Sequence, residues 1–250
     1  MSAGAAIVTG GGGEIGAAIC RRLDRDGWTV VVVDRDGAAA ERVASSLPSG
    51  GTQAHEADVT DHQQVEALVR SVTSRYGGLG ALVNNVGIEG AVQPLVSYPE
   101  DVFERVMRTN VHSVFLGVKS ALAVMLEAGS GAIVNTASTS AIRGRANLAG
   151  YIASKHAVLG LTKVAALETA GTGVRVNAVL PGPIETRMIR AINEGTRALA
   201  PGENAEVKRA VATPYGSVDD VAAAVSHLLS PDARHMNGAA VVVDGGSTAA

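Results

Sequence analysis

Two hydrophobic patterns alternate along this chain: short continuous apolar runs and longer stretches with helical periodicity. Residues 5–8 are apolar, and residues 28–34 form a valine-rich run that ends at Asp34. Continuous runs of this kind are typical of parallel strands buried on both faces. Between the two runs, Ile15, Ile19 and Leu23 recur every four residues and mark one face of a helix. The pattern therefore predicts strand, turn, helix and strand in that order.

The same alternation continues along the rest of the chain. Apolar runs predict five more strands, near residues 53–57, 81–83, 132–138, 174–180 and 239–243. Helical periodicity predicts helices between them, one of which carries Tyr151 and runs to about Thr169. Strands that alternate with helices form a parallel sheet covered on both faces, so we expect an α/β, doubly wound fold of about seven strands. No linker-like composition shift interrupts the pattern, which indicates one domain over residues 1–250.

Two of the predicted helices begin with capping signals. Thr60 and Gln63 have the spacing of a capping box, and so do Ser97 and Glu100. The helix after Ser97 is predicted to be long and to carry Asn110 on its apolar face. A buried amide needs hydrogen-bonding partners, so Asn110 is a candidate for a special role.

Residues 184–216 break the regular alternation. They contain apolar side chains, including Met188, Ile189, Ile192 and Leu199, but no clean strand pattern. A long insertion after a strand is usually a lid or a binding loop. We therefore expect a substrate loop here, and an ordinary surface excursion is the simpler alternative.

A glycine-rich turn follows the first predicted strand directly. Gly11, Gly13 and Gly16 match the spacing G-x-G-x-x-G between a strand and a helix. Glycine permits a tight turn and a close approach of the backbone to a pyrophosphate, and the helix N-terminus then faces the phosphates. The pattern predicts a dinucleotide site, although an ordinary glycine-rich turn could have the same spacing.

The acidic residue that ends the second predicted strand indicates which dinucleotide binds. Asp34 can accept hydrogen bonds from the adenosine ribose hydroxyls, and its charge would repel a 2′-phosphate. This favours NAD over NADP. Arg35 follows directly and could pair with such a phosphate, so NADP is the second possibility.

Composition and charge limit the classes of partner. The chain is 46% hydrophobic, has a mean hydropathy of +0.20 and carries a net charge of −3 without a basic run. Nucleic acid and membrane surfaces are therefore not expected partners, and no apolar run of about 18 residues predicts a membrane span. The single cysteine cannot form an internal disulfide, and the six histidines lack metal-ligand spacing. We expect a cytoplasmic protein without a metal site.

Tyr151 and Lys155 lie four residues apart, so they share one face of the predicted helix. A nearby ammonium favours the phenolate and lowers the pKa of tyrosine from about 10. Lowering this pKa by roughly 3 units requires about 4 kcal/mol, which a close charge and a bound cofactor could supply in a dry pocket. Such a tyrosine could exchange a proton with an alcohol or a ketone. The spacing alone is also common on ordinary helices.

Taken together, these residues resemble the short-chain dehydrogenase/reductase family, and the resemblance covers essentially the whole chain. The family's landmarks occur in its order and spacing: Thr9-Gly10 to Gly16, Asp58, Asn84-Asn85-Val86-Gly87, Asn110, Ser138, Tyr151-x-x-x-Lys155, Asn177 and residues 181–186. The resemblance implies a Rossmann-like fold, an NAD(P)-dependent oxidoreductase acting on CH–OH groups, and a homo-oligomer, either a homotetramer or a dimer.

Two positions depart from the family pattern. The pattern Thr-Gly-x-x-x-Gly-x-Gly aligns with Thr9, Gly10 and Gly16, and it places Glu14 where the family has glycine. A carboxylate beside a pyrophosphate is electrostatically unfavourable unless it points away. Val86 replaces the usual alanine of Asn-Asn-Ala-Gly, which is a small apolar change that could narrow the pocket.

The resemblance also implies specific roles. Tyr151 would be the general acid/base, and Lys155 would lower its pKa and hold the nicotinamide ribose. Ser138 would hydrogen-bond the substrate oxygen, and Asn110 would hold a water in a proton relay to Lys155. The implied cofactor-binding residues gather at one edge of the sheet; they are Gly10, Gly13, Glu14, Ile15, Gly16, Asp34, Arg35, Asp58, Val59, Asn85, Val86, Gly87, Tyr151, Lys155, Pro181, Gly182, Ile184 and Thr186.

We therefore expect hydride transfer between NAD(H) and a small-molecule secondary alcohol or ketone, for example a cyclic alcohol or dihydrodiol. One alternative is an NADPH-dependent carbonyl or 3-oxoacyl-thioester reductase, prompted by Arg35. Another is a non-catalytic dinucleotide-sensing protein. Arg143 and Arg145 lie near the expected substrate entrance and could contact a carboxylate or be solvated. The expected pocket walls are apolar: Val86, Ile88, Ile142, Leu148, Met188 and Ile192.

Overall fold

The seven predicted strands are all present and form one parallel sheet. The computed structural model describes residues 4–199 and 215–249. Its strands are β1 Ala5–Thr9, β2 Thr29–Asp34, β3 Gln53–Glu56, β4 Ala81–Asn84, β5 Gly131–Thr136, β6 Val174–Pro181 and β7 Ala240–Val243. They are ordered β3-β2-β1-β4-β5-β6-β7, and each neighbouring pair is parallel.

The apolar runs form strands because helices cover both faces of the sheet. Every residue of β1 and of β4 is buried, and the four valines of β2 are buried as well. From β1 the chain first adds β2 and β3 on one side, and then crosses to add β4 through β7 on the other. A reversal of this kind opens a crevice at the carboxyl ends of β1 and β4, where ligands bind in such folds.

Six of the eight α-helices within the described residues lie in two layers on the sheet. One face of the sheet packs against α1, α2 and α8, and the other face packs against α3, α5 and α6. This arrangement confirms the predicted doubly wound α/β fold. The helices are α1 Glu14–Arg25, α2 Gly37–Ser45, α3 His62–Tyr76, α4 Glu100–Met107, α5 Ser113–Ala128, α6 Ala149–Glu168, α7 Arg187–Leu199 and α8 Val218–Leu229.

Both predicted capping boxes are wrong. Helix α3 begins at His62, and the Asp61 side chain accepts hydrogen bonds from the backbone N–H groups of Gln63 and Gln64. Asp61 is a stronger capping residue here because its carboxylate lies one position before the first turn. Helix α4 begins at Glu100 after Pro99, while Ser97 belongs to a separate short turn and donates its hydroxyl to the Pro94 carbonyl.

Two helices were not predicted. Helix α2 is short and alanine-rich, so it lacks a clear apolar stripe; its N-cap is Asp36, which accepts from Ala39 N. Helix α7 occupies part of the segment 184–216 that was expected to be an irregular loop. Residues 200–214 of that segment lie outside the described part of the chain.

The long predicted helix is interrupted near its middle. Between α4 and α5, residues Arg108–His112 form one wider π-helical turn, which contains the buried Asn110. By length and composition alone, the whole stretch Glu100–Ala128 is apolar enough to cross a membrane, contrary to the sequence expectation. Its side chains Val114 and Met125 belong to the core beneath the sheet, so we interpret it as a core helix.

Candidate active site

A cavity of about 1050 Å³ opens at the carboxyl edge of the sheet. Ends of β1, β2, β4, β5 and β6 contribute to it, which explains how residues far apart in sequence meet. All eighteen cofactor-binding candidates line this cavity, from Gly10 through Thr186, and so do Ser138 and the six expected apolar wall residues. Asn110 does not line it.

The glycine-rich turn is shaped by close backbone packing. Gly10 has a positive φ of 64°, a conformation that most side chains disfavour. A Cβ at Gly16 would collide with the Gly10 carbonyl oxygen, so the first turn of α1 can approach the loop only because Gly16 has no side chain. Gly10 and Gly16 of the family register are therefore required by the turn, whereas a Cβ at Gly13 would meet only the Gly10 carbonyl oxygen, at 3.4 Å. This cradle fits the pyrophosphate of a dinucleotide.

Asp34 helps to build the turn as well as facing the cavity. Its Oδ2 accepts a hydrogen bond from Gly12 N at 3.1 Å, and its Oδ1 accepts one from Asp36 N at 3.1 Å. Arg35 is exposed beside it and also lines the cavity. A carboxylate and a guanidinium therefore adjoin the place where the sequence puts the adenosine ribose.

Glu14 points away from the turn and toward α7. Its Oε2 accepts a hydrogen bond from Arg187 N at 2.8 Å, and its Oε1 lies 3.4 Å from Arg190 Nη2. The unfavourable placement expected for this carboxylate is thus offset by one backbone N–H donor and one guanidinium. Because these partners lie 173 and 176 residues away in sequence, no local signal indicated them.

Asn85 joins the ends of three strands at the cavity floor. Its backbone N–H donates to Thr9 Oγ1 at 3.1 Å, and its side-chain Nδ2 donates to the Gly10 carbonyl at 3.4 Å. Thr136 Oγ1 donates to Asn85 Oδ1 at 3.4 Å. These bonds fix the glycine-rich turn relative to β4 and β5.

Tyr151, Lys155 and Ser138 meet at the inner end of the cavity. Helix α6 carries the first two on one face, and Lys155 Nζ lies 5.7 Å from the centroid of the Tyr151 ring. Lys155 Nζ also donates to the Thr136 carbonyl at 2.9 Å. Ser138, two residues after the end of β5, accepts from Ser140 N through its hydroxyl oxygen at 3.1 Å, which holds its side chain in place. Thr136 is a contributor that sequence reasoning missed.

The pKa of Tyr151 is raised in the protein alone, whereas the sequence predicts that Lys155 and a bound cofactor together lower it. Burial of the phenol raises its pKa above the ordinary value of 10; a hydrogen bond with Ser138 opposes this shift, and the charge of Glu89 adds to it. Burial also lowers the pKa of Lys155 to about 8. No lowering of the tyrosine pKa is therefore present in the protein alone, because desolvation of the phenolate outweighs the hydrogen bond with Ser138.

Asn110 is buried and uses its amide to hold the chain after β4. Its Oδ1 accepts from Ile88 N at 2.8 Å, and its Nδ2 donates to the Ile88 carbonyl at 2.9 Å and to Ser154 Oγ at 3.0 Å. These bonds place Ile88 at the cavity wall and tie it to α6. The expected water relay through Asn110 stays a prediction.

Charged residues surround the substrate end of the cavity. Arg143 and Arg145 line it, as does Arg187 at the start of α7. Arg187 Nη1 lies 3.1 Å from Glu89 Oε1, and the Glu89 side chain is only 15% exposed. Sequence reasoning missed Glu89 and Arg187 because the pairing joins two segments that are distant in the chain.

Comparisons with known proteins agree with this geometry. A family model described as enoyl-(acyl carrier protein) reductase matches residues 11–248. The chain is 39% identical to levodione reductase from Leifsonia aquatica, covering 98% of this chain and 94% of the relative. It is 36% identical to cyclohexanol dehydrogenase from Acinetobacter sp. strain SE19, covering 97% of this chain and 94% of the relative.

Two solved structures are similar over nearly the whole chain. An NAD+-bound xylitol dehydrogenase superposes with a TM-score of 0.91 at 31% identity, covering 98% of this chain and 99% of that one. An actinorhodin polyketide ketoreductase with NADPH superposes with a TM-score of 0.90 at 35% identity, covering 98% and 97%. Both nicotinamide dinucleotides thus occur among these neighbours.

Proposed function

The chain belongs to the short-chain dehydrogenase/reductase family, and we propose that it uses NAD(H) to interconvert a cyclic secondary alcohol and its ketone. The coarser function is that of an oxidoreductase acting on CH–OH groups with a nicotinamide cofactor, as in its relatives. One observation carries the finer proposal: Ser138, Tyr151 and Lys155 face the same cavity as the glycine-rich turn and Asp34.

The preference for NAD rests on Asp34. Its carboxylate lines the cavity at the end of β2, where a 2′-phosphate would meet a negative charge. It is held there by Gly12 N and Asp36 N, so rotating it away would break two hydrogen bonds. We therefore propose NAD as the working cofactor.

We propose the following roles in alcohol oxidation. The nicotinamide, when bound, accepts the hydride, which no side chain can do. Tyr151 Oη takes the proton from the alcohol, and Ser138 Oγ hydrogen-bonds the same oxygen. Lys155 is held by the Thr136 carbonyl, so its ammonium stays beside the ring and stabilises the phenolate. Asn110 positions the chain after β4 and the wall residue Ile88.

The apolar walls support a cyclic hydrocarbon body as the substrate. Leu148 and Ile192 are buried and pack with Tyr151, and Val92, Ile152 and Met188 pack around them. An apolar ring could fill this space while its hydroxyl reaches Tyr151. The names of two relatives, levodione reductase and cyclohexanol dehydrogenase, point to substrates of this shape.

A second candidate is an NADPH-dependent carbonyl or 3-oxoacyl-thioester reductase. The exposed Arg35 beside Asp34 could pair with a 2′-phosphate, and Arg143 and Arg145 at the cavity could contact an anionic substrate. The neighbouring polyketide ketoreductase was solved with NADPH. These observations favour this candidate less, because Asp34 itself occupies the end of β2.

Initial rates distinguish the two candidates. Cyclic and linear secondary alcohols are offered with NAD+ or NADP+, and the ketones and a 3-oxoacyl thioester with NADH or NADPH. The proposal requires the highest kcat/KM with a cyclic alcohol and NAD+. A higher kcat/KM with NADP+ would refute the argument from Asp34, and a preference for the thioester would favour the second candidate.

We also propose a cytoplasmic homo-oligomer, either a tetramer or a dimer. Helices α5 and α6 present exposed apolar side chains, Phe115 and Leu126 on the former and Val164 and Leu167 on the latter. An apolar surface of this kind supports association with a second copy. Multi-angle light scattering measures the mass directly, and a monomer at micromolar concentration would contradict the proposal.

A further inference from the structure

We infer that Glu14 is a positioning residue that anchors helix α7 to the cofactor turn and thereby sets the substrate wall of the cavity. The inference rests on the proposed function, because it takes the cavity beside α7 to hold the alcohol. It assigns a purpose to a side chain that stands where the family pattern has glycine.

The anchoring contact combines a helix cap with an ion pair. Glu14 is the first residue of α1, and its Oε2 accepts the backbone N–H of Arg187, the first residue of α7. A carboxylate at a helix N-terminus satisfies a free N–H and interacts favourably with the helix dipole. The second oxygen of Glu14 pairs with Arg190, one turn further along α7. One side chain thus holds both the end and the first turn of α7.

Helix α7 is a wall of the substrate end of the cavity. Met188, Ile189, Ile192 and Asn193 all line it, and Ile192 packs with the catalytic candidate Tyr151. Whatever fixes the start of α7 therefore fixes the distance between this wall and Tyr151. Arg187 also pairs with Glu89, so the first turn of α7 is held from two sides.

The same carboxylate has an opposite effect on the cofactor. Glu14 and its neighbours Gly13 and Ile15 line the part of the cavity that fits a pyrophosphate. Even when it is paired with Arg190, a negative charge there weakens the binding of an anionic dinucleotide, and the effect decreases with salt. Glu14 should therefore weaken cofactor binding while it improves the placement of the substrate. A merely structural residue would affect both in the same direction when it is replaced, so opposite changes in the Kd for NADH and the KM for the alcohol identify a positioning role.

The test compares Glu14→Gly with Glu14→Gln and the control Glu194→Gln. Glycine removes both contacts and restores the family residue, whereas glutamine keeps an acceptor for Arg187 N–H but loses the charge. Glu194 is exposed on α7. Its replacement by glutamine therefore removes the same charge as Glu14→Gln does, but away from the glycine-rich turn. We measure the Kd for NADH by fluorescence, KM and kcat for the alcohol, and hydrogen–deuterium exchange of the N–H groups at the start of α7.

We expect Glu14→Gly to raise KM for the alcohol about fivefold, the loss that a typical helix cap would give, with kcat nearly constant. The Kd for NADH should fall by roughly two- to fivefold at low salt in both Glu14 variants. The first turn of α7 should exchange faster in Glu14→Gly, less so in Glu14→Gln, and at the original rate in Glu194→Gln.

Two outcomes would overturn the inference. One is unchanged exchange of α7 in Glu14→Gly, which would show that the contact does not hold the helix. The other is a weaker NADH affinity together with a higher KM and a lower Tm, which would show general damage to the turn. If the original protein oxidised no alcohol but the exchange and NADH results were as expected, the proposed function would fail while the anchoring of α7 stood.

Discussion

The cofactor side and the substrate side of the cavity are built in different ways. On the cofactor side, the turn after β1 is fixed by the backbone: Gly11 N donates to the Val33 carbonyl at 2.9 Å and Gly13 N to the Gly10 carbonyl at 3.2 Å. On the substrate side, α7 is attached through side-chain ion pairs such as Arg190 with Glu14, whose side chains are 52% and 48% exposed. Exposed ion pairs contribute only about 0–1 kcal/mol and weaken with salt.

This difference indicates that the two sides of the cavity are held with different rigidity. Backbone hydrogen bonds and steric contacts allow little adjustment, so the cofactor side suits one ligand that is always the same. Surface ion pairs are individually weak, so a single substitution such as Glu14→Gly can shift the substrate wall. Tyr151 and Lys155 lie where the two sides meet, and burial there raises the pKa of Tyr151 and lowers that of Lys155.

The largest effect on catalysis should come from Tyr151→Phe, where the cofactor side and the substrate side of the cavity meet. Only the hydroxyl is lost, so the ring keeps its packing with Leu148 and Ile192. We expect kcat to fall by roughly 10²–10⁴-fold, the usual contribution of a general acid/base, while the Kd for NADH changes little. Steady-state rates and NADH fluorescence measure the two quantities. Substantial residual activity would show that another group carries the proton.

Gly16→Ala should weaken NADH binding by disturbing the glycine-rich turn on the cofactor side. The added Cβ would meet the Gly10 carbonyl oxygen and the Gly11 backbone, neither of which can move freely. Overpacking against backbone costs about 1–3 kcal/mol, so we expect a lower Tm and a Kd for NADH raised about tenfold. The matched control is Gly160→Ala on α6, where a Cβ would meet nothing within 4 Å. It should leave the Kd unchanged, and equal effects of the two changes would refute the steric argument.

Ile192→Val should affect the substrate side with a smaller change. Ile192 is 4% exposed and lines the cavity on α7. Removing one methylene from an apolar pocket typically costs about 1–3 kcal/mol of discrimination, so KM for a ring-shaped alcohol should rise several-fold. The Kd for NADH should stay constant, and titration calorimetry checks it. A parallel loss of NADH affinity would mean that the two sides are not independent.

The sequence was sufficient for the parts of the fold that depend on local pattern. The strands were located because continuous apolar runs are buried on both faces, and Val30 to Val33 are all buried in β2. The cofactor-binding candidates line one cavity, as the sequence predicts, because the strand ends of a parallel sheet meet at one edge. Helix α7 was missed although Met188, Ile192 and Thr196 recur every four residues and could have indicated a helix.

Other features could not be predicted because they depend on distant partners or on burial. The direction of the Glu14 side chain is set by Arg187 and Arg190, which lie on α7. The cap of α3 was misplaced by one residue because the sequence offers both Thr60 and Asp61 as capping residues. The raised pKa of Tyr151 follows from desolvation, which no spacing of residues reveals.

Tyr151 is expected to become a base only when oxidised cofactor is bound. In the protein alone, burial raises its pKa, and oxidised nicotinamide would add a second positive charge beside Lys155. The direct measurement is the pH dependence of kcat/KM for the alcohol at saturating NAD+. We expect activity to rise with pH as Tyr151 ionises between about pH 6 and 9, because the phenolate is the active form, and to fall at higher pH as Lys155, whose pKa is about 8 in the protein alone, loses its proton. A profile without an ionisation in that range would contradict the claim.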